Sequence, residues 1–307
     1  MVVPRVNSFV DAALFYNPLD PAQADGLARD ATTGAVILEE LGYRAEVTTF
    51  EVDQGLERLY ALGSRAPVDL VPLRWEARVS ATFIPTTLTG LEKLASLAPS
   101  GTDVLRFNLF VSHGGWAGAT DVYLREVVAR SIEISAREGD VVEASFDGVY
   151  HDIYIPATPP GVQVTPVSGT PLTFAQAVLT VAGKQYPTRD VRLRIGTGHE
   201  VGWTLGDRRF SVVWQGRQEL TVRATVYGSP DALNDLAVLA GATDLIEPAV
   251  VQVVIQDPAG NAGTITVDGA KIASIGAPVR VGEAIMIDVE LYGGSISFTA
   301  GTTTTTV

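Results

Sequence analysis

Three histidines, His113, His151 and His199, are the side chains in this sequence best suited to proton transfer or metal binding, and the chain has no cysteine. Zinc sites draw Cys and His ligands from short fixed spacings. These histidines are far apart in sequence and lie beside no cluster of carboxylates, so each reads as a surface or capping residue. Asp140 and Glu143 are paired acids, but acids are common here and solvated strand edges account for them. The run Gly196-Thr-Gly198-His-Glu-Val-Gly202 resembles a nucleotide-binding loop only loosely. Its third glycine comes one place late, and no helix follows to aim its N-terminus at a phosphate. It reads as a hairpin turn, and residues 113–118, with three glycines, read as a hairpin tip. There is no Gly-x-Ser-x-Gly elbow and no P-loop. Arg208-Arg209 is the one arginine doublet, too little for a nucleic-acid patch. Trp75, Trp116, Trp203 and Trp214 could stack on sugars, but Trp75 falls on the apolar parity of its strand and reads as core. The expectation is a protein that is not an enzyme, with no cofactor and no metal.

The elements that carry these residues belong to an apolar chain. Its 307 residues are enough for two domains, only 19% are charged, and the mean hydropathy is +0.21. So apolar a chain is expected to cover further surface by forming an oligomer. The formal net charge is −13, with 22 acidic and 12 basic side chains in residues 1–155 and 13 and 10 in the rest. An acidic surface does not hold nucleic acid, whose phosphates need Lys and Arg, but suits one past which DNA slides. No cysteine points to an oxidising compartment, no apolar run reaches the ~20 residues of a membrane span, and the start lacks a signal-peptide pattern, so synthesis inside the cell is expected.

The strongest signal is internal similarity at a separation of 143 residues. Glu57 falls on Glu200, Leu62 on Leu205, Gly63 on Gly206, Arg65 on Arg208, Arg74 on Arg217, Glu76 on Glu219, Val79 on Val222, and Ala81-Thr82 on Ala224-Thr225. Parity agrees as well. Ala77, Val79, Ala81 and Phe83 alternate with polar residues in one copy, as Leu220, Val222, Ala224 and Val226 do in the other. Alternation at period two predicts strands with one buried face. Thr89-Gly-Leu-Glu92 reads as a capping box and Ser229-Pro230-Asp231 as a helix start, each ahead of leucines spaced by three. A Gly-containing turn at 137–140, and again at 280–283, leads into the closing strands.

The resulting expectation is mainly β: two tandem β-sandwich or barrel domains, each with one flanking α-helix. Residues 33–155 and 175–299 are the two copies, 156–174 a Pro/Gly linker, 1–32 an N-terminal arm, and 300–307 a Thr-rich extended tail.

The run 57–71, with its Leu-Gly-Ser-Arg-Ala-Pro core, and the alternating run 74–83 resemble the major tail tube proteins of long-tailed bacteriophages. The second copy lacks the proline and resembles them less. The resemblance implies a tube domain whose sheets pair around a ring of usually six subunits, the rings stacking into a conduit for DNA and the tape measure protein. With two tube domains per chain, three copies would complete a ring of pseudo-sixfold symmetry. Further partners would be the tail terminator and distal tail proteins, and the location would be the virion, after synthesis in the host cytoplasm. No membrane is involved. Under that resemblance the loops at Leu62, Gly63, Ser64 and Arg65 and at Leu205, Gly206, Asp207 and Arg208 make contacts between subunits or rings. The polar parity at Glu76, Arg78, Ser80, Glu219, Thr221 and Arg223 faces the lumen or the exterior, the lumen being net acidic. The arm would serve ring stacking, and the Thr-rich end would bridge rings. Other readings are a secreted or surface two-domain β-sandwich that binds or adheres, an enzyme on a β scaffold, and a distal tail or terminator component of the same fold.

Overall fold

The computed structural model describes residues 12–24, 26–53, 55–59, 69–72, 74–86, 106–113, 122–154, 162–165, 171–181, 183–205, 207–228, 235–236, 248–256, 262–277, 285–300 and 303–306. The first half of the chain contributes β1 (Ala12–Pro18), β2 (Val36–Glu40), β3 (Tyr43–Asp53), β4 (Leu56–Leu59), β5 (Asp69–Pro72), β6 (Glu76–Ile84), β7 (Phe107–His113), β8 (Val122–Arg137) and β9 (Glu143–Tyr154). The rest contributes β10 (Val162–Thr165), β11 (Thr173–Val181), β12 (Lys184–Gly196), β13 (His199–Gly202), β14 (Val212–Gln215), β15 (Glu219–Tyr227), β16 (Pro248–Gln256), β17 (Ala262–Gly276), β18 (Met286–Tyr292), β19 (Ser295–Ala300) and β20 (Thr303–Thr306).

Alternating sequence makes these strands one-sided. In β6, Ala77, Val79, Ala81 and Phe83 are buried, and in β15 so are Leu220, Val222, Ala224 and Val226. Each set must be covered by a second layer, and ring closure supplies it. In the first half β1, β3, β6, β9, β8 and β7 pair in that order, and β7 returns to β1. In the second half β11, β12, β15, β18, β17 and β16 do the same, with β16 returning to β11. Even the irregularities recur at the same separation. The bulge between Ala129 and Ser131 on β8 has a counterpart between Ile272 and Ser274 on β17.

The two rings are not separate sandwiches, because one hydrogen-bonded sheet runs through both. The join is antiparallel, between residues 131–137 of β8 and 190–196 of β12. Both strands are long enough to change partners. β8 uses its start to pair with β7 and its end to pair with β12; β12 uses its start for β11 and its end for β8.

Several expectations are corrected. The segment assigned to an N-terminal arm contains β1, which pairs with β7 over its full length and buries Leu14 and Phe15. It closes the first ring as β11 closes the second. The Pro/Gly linker contains β10, paired in parallel with β2, and the Thr-rich end contains β20, paired with β19. The two expected helices fall on residues 87–105 and 229–247, which lie outside the described residues except for Asp235 and Leu236, both in helical geometry. Leu236 is fully buried and belongs to the main core.

Two fully buried asparagines anchor β1 and the excursion at residues 19–35 that follows it. Asn17 Nδ2 donates to the carbonyls of Ala28 (3.0 Å) and Ile37 (2.6 Å), and its Oδ1 accepts from Ala28 N (3.1 Å). Asn108 Nδ2 on the adjoining β7 donates to Asn17 Oδ1 (3.0 Å) and the Gly26 carbonyl (2.8 Å), while its Oδ1 accepts from Glu126 N (3.2 Å). Buried polar groups deprived of partners carry their full desolvation cost. Asn108→Ala, which strips partners from Gly26 and Glu126, is expected to lower unfolding free energy by about 2–4 kcal/mol in urea titration, with an unchanged m-value.

Candidate assembly surface

The residues singled out on the polar parity lie on one continuous sheet face. Starting from β3, the order is β3-β6-β9-β8-β12-β15-β18-β17, eight strands running through the join. One side of this arc is the core of the two barrels. The other is covered at one end by the β13–β14 hairpin, over Val128 and Val149, and elsewhere is densely charged. Arg192 Nε lies 3.2 Å from Glu133 Oε1 across the join, Arg223 Nε lies 2.9 Å from Glu290 Oε1, and Arg78 Nη2 lies 3.0 Å from Glu76 Oε1. Ser80 hydrogen-bonds Asp147, which also accepts from Ser131 Oγ at 3.2 Å, and Thr225 Oγ1 donates to Asp288 at 2.8 Å. The Arg223 guanidinium holds the Glu290 carboxyl below the ordinary carboxylate range. Glu76, Arg78, Ser80, Glu219, Thr221 and Arg223 thus share a face on β6 and β15, the two strands related by 143 residues. Exposed pairs of this sort add little stability. Their effect is to keep arginines engaged with carboxylates and so less free for phosphate.

The second-half loop does not stand free. β13 and β14 form a hairpin that folds back on the first half and builds a small core of its own from Val128, Val149, Val201 and Phe210. The turn leading into it, residues 196–198, needs its last glycine. Gly198 has φ +68°, and a Cβ there would lie 2.4 Å from the Arg217 carbonyl oxygen. Thr197 Oγ1 and His199 Nδ1 both donate to the Ala129 carbonyl, at 2.7 and 2.9 Å. His199 is therefore a buried structural residue and not the surface or capping histidine expected. Trp75 N donates to the Arg208 carbonyl at 2.7 Å, and Trp203 Nε1 to the Trp75 carbonyl at 3.3 Å. Arg74 lies 4.9 Å over the Trp203 ring, and Arg209 pairs with Asp152 at 2.9 Å while lying 5.7 Å from the Trp75 ring centre. Of the loop residues assigned to contacts, Arg208 is thus held by its backbone against the first half, Asp207 N donates to Thr204 O (3.1 Å), and Leu205 is wholly exposed. Gly206 and Leu62, Gly63, Ser64 and Arg65 lie outside the described residues.

Sequence reasoning did not foresee that β13–β14 would clasp the first half, nor the role of Trp75, Asp152 and His151 in receiving it. The signal was weak but present: Trp203 and Phe210 are large apolar residues in a segment otherwise read as a turn and loop. The arc also has two ends. Beyond residue 47, β3 has β6 on one side and no described strand on the other, and the end of β17 pairs with β18 alone. No group of three or more potential metal ligands occurs among the described residues.

Among the described residues the arc thus has a charged, exposed stretch on one face and no neighbouring strand at either end. A family model described as phage tail tube protein matches residues 10–300. The chain belongs to that family. No curated protein matches it. The match begins within two residues of β1 and ends on the last residue of β19, so it takes in both rings of this tail tube protein and the join between them. Membership in a structural tail family agrees with a chain that is not an enzyme.

His151 stacks edge-on against Phe210 at 5.2 Å, and burial under the hairpin pushes its pKa below the ordinary 6.5. The unfolded chain then takes up the proton first, so stability present above pH 6.5 declines as pH falls below it. His151→Gln is expected to flatten that decline, measured as urea midpoint against pH. Phe210→Ala is expected to cost about 3 kcal/mol locally, read as loss of amide protection confined to residues 199–215.

Proposed function

We propose that this chain is the duplicated tube subunit of a long-tailed phage and that three copies close a ring of pseudo-sixfold symmetry. The observation that carries the reading is the eight-stranded arc, which among the described residues has no strand beside its edge at either end. Edges of that kind are a liability in a monomer and a joint in an assembly. Head-to-tail joining uses one end of each copy on the other end of the next, and such contacts close when the rotation permits. Three arcs make a wall of 24 strands, wider than the 16–18-stranded barrels that already leave an aqueous channel. The apolar side of the arc is filled by the copy's own outer strands, so the charged side is the one that lines the channel.

On this reading Glu76, Arg78, Glu219 and Arg223 face the lumen, and a surface on which Arg78, Arg192 and Arg223 are matched to carboxylates favours passage of DNA and the tape measure protein without adhering. Rings stack into the conduit, which ends at terminator and distal tail proteins. The subunit is made in the host cytoplasm and functions in the virion. The two halves, 33–155 and 175–299 extended by β1 and β11, are the repeated tube domains, and the loops around 62–65 and 204–209 serve contacts between subunits or rings.

Negative-stain imaging of the purified chain, concentrated at moderate salt, is expected to show rings or tubes with three major and six minor lobes. Dispersed single copies at every concentration would refute the assembly.

A further inference from the structure

The join inside the chain is a template for the join between chains. Position by position at a separation of 143, the end of β12 corresponds to the end of β3, and the end of β8 to the end of β17. On β12, Leu193 and Ile195 are 2% and 0% exposed, because β8 lies alongside. Their counterparts on β3, Phe50 and Val52, are 40% and 42% exposed, with no described strand alongside. The hairpin shows the same contrast. Val149, covered by β13–β14, is 1% exposed; its counterpart on β18, Tyr292, is 50% exposed. The counterpart of the covering hairpin is β4–β5, whose strands pair only with each other. Four exposed or unpaired features therefore coincide with one displaced copy of an interface the chain already makes.

We propose that the β3 edge of one copy pairs antiparallel with the β17 edge of a second copy, Asp53 opposite Ser274, Val52 opposite Ile275, Glu51 opposite Gly276 and Phe50 opposite Ala277, and that the β4–β5 hairpin of the first copy covers Tyr292 of the second. The register is that of Gly196 opposite Ser131 and Ile195 opposite Ile132. The inference rests on the ring above and adds what the ring alone leaves open: which edges meet, in which register, and under which hairpin. The two joins differ in chemistry. The inner one carries the Arg192–Glu133 ion pair; at the outer one those positions are Thr49 and Gly276. The outer join is thus held by apolar burial and backbone pairing without that cross-strand charge.

The chain has no cysteine, so introduced pairs report without background. Full-length protein carrying Asp53→Cys and Ser274→Cys is assembled, oxidised and run under denaturing, non-reducing conditions. Directly opposed residues of an antiparallel pair sit within disulfide reach, whereas a two-residue slip sets the Cα atoms roughly 7–8 Å apart. The expected result is a covalent ladder that ends in a closed three-chain species. The slipped pair, Asp53→Cys with Gly276→Cys, should give several-fold less product. Normal rings or tubes with no cross-link, or with the slipped pair dominant, would overturn the join and leave the ring standing. If wild-type chains form neither rings nor tubes, it is the ring that fails. If the double variant does not assemble, hydrogen exchange on wild-type protein decides. At least tenfold slower exchange in the assembly for amides of 49–53 and 274–277 supports the join, and unchanged exchange there overturns it.

Discussion

The pairing of the end of β8 with the end of β12 is the contact on which the rest of the molecule depends. It exists because each strand is longer than its own barrel requires, so that one edge of half of it is left without a neighbour once the barrel closes. Unpaired backbone amides and carbonyls beside apolar side chains are costly in water. Bringing the two surplus halves together satisfies both sets and buries Ile132, Ile134, Leu193 and Ile195 in one step. From that contact follow the single sheet, its continuous polar face and the position of the β13–β14 hairpin, which packs on Val128 and Val149 beside the seam.

Chain connectivity and local pattern made unequal parts of this legible. The alternation in β6 and β15 gave the buried faces correctly, because two-residue periodicity depends only on which side of a strand meets the core. The separation of 143 residues was visible on both faces of β6 and β15, in the buried Val79 and Ala81 as well as in Glu76 and Thr82 on the polar side. β1 was missed for a reason tied to that separation. The excursion at residues 19–35, between β1 and β2, has no equivalent between β11 and β12, so the separation changes there and a fixed offset finds no match. Its buried Asn17 also reads as a turn residue, although it bonds the backbone of that excursion. The hairpin's docking was not legible because it depends on partners from distant segments: Trp75, Val149 and Asp152 lie 58 or more residues before Phe210 in sequence and meet the hairpin only in the folded chain.

Electrostatics divides the surface in a way that net charge alone does not reveal. A chain of net charge −13 could repel DNA by bulk repulsion. The sheet face instead combines both signs at close range, with Arg192, Arg223 and Arg78 each within 3.2 Å of a carboxylate. Such a surface presents a short-range texture that fades within a Debye length, and not a strong field of one sign. A polyanion moving along it meets neither a deep well nor a high barrier.

Placing both barrels on one polypeptide has a consequence for how the seam forms. The β8–β12 contact closes without the translational and rotational entropy that two free partners must surrender, and its strength is indifferent to dilution. Only contacts made by the outer ends of the arc obey mass action. Were three such chains to close a ring, three contacts between chains would stand where six single-barrel subunits need six, and each departure would remove two barrels at once.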